Sequence, residues 1–174
     1  AGVMVGGSLG PLGEMVEPLG SLPEADAQAE YAAQAHMLAE NGVDVLVIET
    51  QFDLIEARAA LRGVRFATDL PVVVSFSYDR GIRTMMGVKP AQVATTFLPL
   101  GVTAIGAKCG TTLDNMEKIL QEYRTAAPQA VLWAKPNAGL PEIGDDNQAV
   151  YKVTPEEMGV FAKNFVGLGA RIVG

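Results

Sequence analysis

The chain has 174 residues, 49% of them apolar, which is enough for one domain with a sizeable core and too few for two comfortable ones. A formal net charge of −7 argues against a nucleic-acid binder, and no apolar run approaches the roughly eighteen residues of a membrane span. One cysteine cannot form an internal disulfide, so a reducing cytoplasm is the expected compartment; one histidine, His36, excludes a two-His metalloprotease helix.

In chain order, residues 3–7 are expected to form a strand, followed by the glycine-rich loop Ser8-Leu9-Gly10-Pro11-Leu12-Gly13. That loop has no Gly-Lys-Ser/Thr ending and G-x-G-x-x-G spacing is absent, which speaks against a nucleotide phosphate loop. A helix is expected over 26–40, with Tyr31, Ala32, Ala35, Leu38 and Ala39 on one stripe and Asn41-Gly42 as its stop. The apolar run 43–48 is the next strand. Asp53 and Glu56 then resemble a capping box for a helix carrying Leu54, Ala57, Leu61 and Val64.

Further along, the pattern predicts a strand at 72–76, a short helix opened by Pro90, a strand at 102–106 and a helix with Met116, Ile119, Leu120 and Tyr123 on one face. A strand at 130–134 follows. Thr154-Pro155-Glu156-Glu157 combines an N-cap, a first-turn proline and a capping glutamate, and a last strand is expected at 170–173. Six strands alternating with five helices give a parallel α/β sheet. It is either an open doubly wound sheet or part of a (β/α)8 TIM barrel, which typically takes about 250 residues.

In either architecture chemistry gathers at the carboxyl ends of the strands. Those ends supply Ser8; Glu49 and Thr50; Ser75, Ser77, Tyr78 and Asp79; Lys108 and Cys109; Lys135 and Asn137, a polar set following apolar runs. Glu49 directly follows Val45-Leu46-Val47-Ile48, so its carboxylate loses hydration unless it meets a cation, and a substrate ammonium fits that need. The competing reading is a solvated loop residue. Cys109 is a candidate nucleophile or metal ligand, against the alternative of a small buried apolar side chain. Lys108 and Lys135 are candidate Schiff-base lysines of a barrel lyase, or simple partners of a carboxylate. Asp145-Asp146 is read as solvated, lacking calcium-loop spacing, and Met85-Met86 is expected to pack against the barrel wall.

Six motifs at these strand ends, taken together, resemble the homocysteine S-methyltransferase family, which includes the homocysteine-binding domain of cobalamin-dependent methionine synthase and betaine–homocysteine methyltransferase. They are Gly7-Ser8-Leu9-Gly10-Pro11, Val47-Ile48-Glu49-Thr50, Val74-Ser75-Phe76-Ser77, Gly106-Ala107-Lys108-Cys109, Pro136-Asn137-Ala138-Gly139 and Ile172-Val173-Gly174. The resemblance implies a zinc-dependent (β/α)8 barrel of which residues 1–174 form a single domain covering roughly strands three to eight. It implies Cys109 as one of three zinc cysteines. The other two form a Cys-Cys pair in a glycine-led run that Gly174 would begin, so the chain alone is expected to be inactive and incomplete at both ends.

The resemblance further implies that Glu49 holds the amino group of homocysteine and that Ser8, Ser75 and Asn137 line the pocket. Methyl donors implied are cobalamin on a corrinoid protein or domain, betaine or a similar onium compound, with the loop 140–150 placed to meet them. Lys108 departs from the family pattern, which has asparagine in a Gly-x-Asn-Cys motif. The alternative reading is a catalytically incomplete module that binds a corrinoid protein or a methyltransferase subunit. Open strand edges at 3–7 and 170–173 would favour self-association into a homo-oligomer.

Overall fold

The computed structural model describes residues 2–110, 112–140, 142–144 and 147–174. In chain order the elements are β1 (Gly6–Leu9), α1 (Glu24–Glu40), β2 (Val45–Gln51), α2 (Leu54–Ala67), β3 (Val72–Phe76) and α3 (Pro90–Phe97), which tightens into a 3-10 turn at Leu98–Leu100. Then come β4 (Ala104–Lys108), α4 (Leu113–Ala126), β5 (Leu132–Lys135), β6 (Glu142–Ile143), β7 (Ala149–Val150), α5 (Pro155–Gly167) and β8 (Ala170–Val173).

The six longer strands form one sheet in the order β1-β2-β3-β4-β5-β8, every neighbouring pair parallel. This decides between the two architectures that periodicity left open. A doubly wound sheet reverses its strand order at a switch point, whereas an order that never reverses is the wall of a (β/α)8 barrel. Among the described residues no helix is long and apolar enough to cross a membrane.

Strand alternation divides the side chains between two faces. Leu46, Ile48, Val72, Val74, Ile105 and Leu132 join the helices in the main core, while Val47, Val73 and Ala104 form a small apolar cluster on the other, concave face with Val45 and Trp133. Each fully buried aliphatic side chain contributes about 1.5–3 kcal/mol. Two close approaches demand glycine. A Cβ on Gly106 would lie 1.9 Å from the Trp133 carbonyl oxygen, and one on Gly63 would lie 2.4 Å from that of Gln28, where α2 meets α1.

Helix signals match the structure well. Gly42 takes φ +82 behind α1, and Thr154 and Glu157 form the reciprocal capping box of α5. Asp53 caps α2 by accepting from the Ile55 N–H, but Glu56 does not complete a box there; it turns to the β1–α1 loop instead. Strand bounds differ more. Val3, Met4 and Val5 are 91%, 70% and 53% exposed, and pairing with β2 begins only at Gly6. Strands β2, β4 and β5 each start about two residues later than their apolar runs and extend through Glu49, Lys108 and Lys135.

The segment 140–150 is not all loop. It contains the two-residue pairing of β6 with β7, closed by a Gly144 N–H to Gln148 carbonyl bond of 2.9 Å. Such short strands carry no alternation to read. Asp145 and Asp146 lie outside the described residues. Met85 and Met86 are exposed rather than packed.

Candidate functional site

The site is built at the carboxyl ends of β1, β2, β4 and β5. Glu49, only 8% exposed, sits in β2 on the face that also carries Val45 and Val47. Its Oε1 accepts a 2.6 Å hydrogen bond from the Ser8 hydroxyl, across the β1–β2 pairing, and lies 2.7 Å from Lys108 Nζ. Lys108 faces Lys135 directly in the β4–β5 register, so both ammonium groups stand on the same row. Burial pushes the Glu49 carboxyl up, but the Lys108 and Ser8 hydrogen bonds and the charges of Lys108 and Lys135 outweigh it and hold the group below the usual carboxylate range. Glu49 is therefore charged at neutral pH.

Each member of the ion pair is followed by a left-handed residue: Thr50 has φ 61 and Cys109 has φ 59. This conformation is uncommon for any side-chain-bearing residue and an outlier for β-branched threonine. At Thr50 it makes a bulge, so that pairing skips from Ile48–Val74 to Gln51–Phe76 and Gln51 turns into the helix layer. At Cys109 it ends β4: the Cys109 N–H donates to the Lys135 carbonyl at 2.9 Å, and the free, partly exposed thiol lies at the strand end. Asn137 Nδ2 reaches the carbonyl of Gly110 at 3.5 Å, tying the loop after β5 to that beyond Cys109.

One row deeper, Ser75 is fully buried and its Oγ has no hydrogen-bond partner among the described residues; the same holds for Trp133 Nε1. The two strands bearing them flank Gly106, which pairs with both residues and contributes no side chain between them. The concave face thus offers two unsatisfied donors below two ammonium groups, with Glu49 as the neighbouring anion.

A buried polar cluster supports the site from the helix side. The Tyr31 hydroxyl lies 2.9 Å from both Glu56 Oε1 and the Gly10 carbonyl and accepts from Gln51 Nε2 at 3.3 Å, while the Leu12 N–H donates to Glu56 at 2.7 Å. These bonds fix the loop after Ser8. Burial pushes the titration of Tyr31 up, so the hydroxyl keeps its proton. Under β4 the Tyr78 and Tyr123 hydroxyls are 2.6 Å apart, and Tyr123 donates to the Gly106 carbonyl at 3.0 Å. Burial raises both tyrosines as well.

Of the expected residues, Ser8 and Glu49 are in direct contact, Ser75 lies in the same face, and Cys109 and Asn137 border it at the mouth. Lys108 meets Glu49 as an ion-pair partner. Tyr78 leaves the strand-end set for the core, and Asp79 is exposed. Trp133 and the Tyr31–Gln51–Glu56 cluster were not legible as site support; an isolated tyrosine on an apolar helix stripe gives no sign that its hydroxyl is anchored.

Zinc can be tested against this donor set. A zinc site takes about four ligands, of which at least three come from protein. Among the described residues no group of three or more His, Cys, Asp or Glu side chains is placed to hold a metal, and Cys109 supplies one soft donor. The described residues do not by themselves make a zinc site.

The family model described as homocysteine S-methyltransferase matches residues 1–174. The methionine synthase of Mycobacterium tuberculosis (strain ATCC 25618 / H37Rv) is 30% identical over 176 residues, which cover 97% of this chain and 14% of that protein. That of Mycobacterium leprae (strain TN) gives the same identity and coverage, so the chain spans about one-seventh of these curated relatives. Among solved structures, the apo form of the homocysteine methyltransferase MmuM from Escherichia coli superposes with a TM-score of 0.77 at 20% identity, covering 99% of this chain and 57% of that one. Its metallated form gives 0.73 at 20% identity, with 99% and 56% covered. These structures share the fold.

Proposed function

The chain belongs to the homocysteine S-methyltransferase family, and from that premise we propose that residues 1–174 act as a homocysteine-binding-like domain of a methyltransferase, working in the cytoplasm. The reaction moves a methyl group from a corrinoid, betaine or similar onium donor to the thiolate of homocysteine. The observation that supports this reading most is Glu49: a buried, charged carboxylate at the carboxyl end of β2, oriented by Ser8 and already bonded to an ammonium group. A site that holds one ammonium there is chemically suited to hold the ammonium of an amino-acid thiol.

In this reading Ser8 orients Glu49, Ser75 offers its unpaired hydroxyl to the acceptor, and Asn137 keeps the mouth in shape through Gly110. The acceptor gives up its thiol proton to solvent, its sulfur forms the new bond to the methyl carbon, and the electron pair of the broken methyl–donor bond leaves with the donor. Zinc is the proposed metal and Cys109 the ligand this chain gives it; because the described residues hold only that one soft donor, no step here runs through the metal. The donor approaches the open strand-end face, beside the exposed β6–β7 hairpin.

Metal content and methionine formation from L-homocysteine by the intact protein test the reading. Stoichiometric zinc with methyl transfer from at least one of the donor classes is expected. A zinc-free protein inert towards homocysteine with all of them would overturn it.

A further inference from the structure

The pair that makes Glu49 look like an ammonium site also fills it. Lys108 Nζ stands where a substrate ammonium would have to stand, 2.7 Å from Oε1 and sharing that oxygen with Ser8. A second cation entering beside Lys108 would meet a like charge at near contact, with Lys135 on the same row adding to the repulsion. Yet Lys108 is a long, flexible side chain and remains 23% exposed, so it has somewhere to go. Around Glu49 one carboxylate faces two ammonium groups, which leaves one positive charge in excess. The same face holds the unpaired Ser75 hydroxyl and Trp133 N–H, both able to donate to an anion.

We propose that Lys108 is the residue that recognises the carboxylate of the acceptor, and that it does so by exchange: the Glu49–Lys108 pair opens as a zwitterionic head group enters, the substrate ammonium replacing Lys108 on Glu49 and the substrate carboxylate replacing Glu49 on Lys108, with Lys135 alongside. One internal ion pair becomes two intermolecular ones, and neither Glu49 nor Lys108 is left unpartnered in the partly buried mouth. A thiol with an ammonium but no carboxylate would displace Lys108 without giving it a partner. A thiol with a carboxylate but no ammonium would strip Lys108 from Glu49 and leave that anion uncompensated. The exchange therefore selects for both charges together. The inference rests on the amino-acid thiol reading above.

The test is a ligand series titrated calorimetrically into the intact, zinc-supplied protein: L-homocysteine, 3-aminopropane-1-thiol, which lacks the carboxylate, and 4-mercaptobutanoate, which lacks the ammonium. In the wild type, removing either charge is expected to weaken binding about ten- to a hundredfold. In Lys108→Met, removing the carboxylate should cost threefold or less (roughly the scatter of such comparisons), while 3-aminopropane-1-thiol binds as well as or better than to the wild type. Lys108→Arg, which keeps the charge, should retain the wild-type order. Lys135→Met, at an exposed position, provides a second variant and should reduce the carboxylate penalty partially. An undiminished carboxylate penalty in Lys108→Met, with homocysteine still bound, would overturn the exchange and leave the acceptor reading standing. Should Lys108→Met fail to fold, an undiminished penalty in Lys135→Met would overturn it likewise. Failure of the wild type to bind homocysteine at all would overturn both.

Discussion

Lys108 Nζ and Glu49 Oε1 are 2.7 Å apart across the mouth of the sheet, although their strands, β4 and β2, are separated by β3. A contact that skips a strand is possible because both side chains lean over the concave face, where Ser75 on β3 is too short to intervene. Ser8 on β1 completes the line, so one carboxylate ties three strand ends together.

Glu49→Gln removes the charge at the centre of this line and keeps its shape. Lys108 then loses its ion pair, and the variant is expected to be less stable by about 1–3 kcal/mol, since breaking a partly buried pair costs less than the fully buried case. Chemical denaturation of the two proteins measures this. An unchanged midpoint would show that the pair contributes nothing to folding.

The pH dependence has a definite sign. The folded Glu49 carboxyl titrates below its unfolded value of about 4.3. Its contribution is therefore fully present above about pH 4.3 and is lost as pH falls through the lower folded value. Stability measured from pH 7 down to pH 3 should fall more steeply for wild type than for Glu49→Gln in the acid limb. Parallel curves would contradict the assignment.

Gly106→Ala is expected to be among the most damaging single substitutions in the sheet. The added Cβ would lie 1.9 Å from the Trp133 carbonyl oxygen, backbone that cannot yield without parting β4 from β5. It would also shift the carbonyl that accepts from Tyr123. A loss of about 3 kcal/mol or more, or failure to accumulate as folded protein, is expected. A loss under about 0.5 kcal/mol, within the range of ordinary surface substitutions, would contradict the close approach.

In the described sheet β1 and β8 each pair on one side only. A polypeptide of residues 1–174 alone is expected to self-associate through those edges. Sedimentation giving a clean monomer across a tenfold concentration range would contradict it.

The fold was legible because helix signals are local. Pro155 with Thr154 and Glu157, and Gly42 behind α1, act within one turn and need no tertiary help. Strand bounds were less legible because hydrophobicity reports burial, not hydrogen bonding. Apolar Val43 and Val102 belong to the approaches, whereas charged Lys108 and Lys135 pair in the ladder and Glu49 lies within the bounds of β2. The strand-end position of Glu49 and Ser8 could be read from the runs before them. Their union with Lys108 could not, because it spans a strand and depends on which way long side chains lean. The bulge at Thr50 was hidden for a similar reason: nothing in a threonine announces a positive φ.

The central claim is that Glu49 holds the acceptor of a methyl transfer. Its most direct measurement is methionine formation from L-homocysteine by the intact protein, wild type against Glu49→Gln, with each donor class supplied. The account predicts turnover by the wild type and a loss of about ten- to a hundredfold in kcat/KM in the variant. Equal turnover by the two proteins, or none by the wild type with any donor, would contradict it.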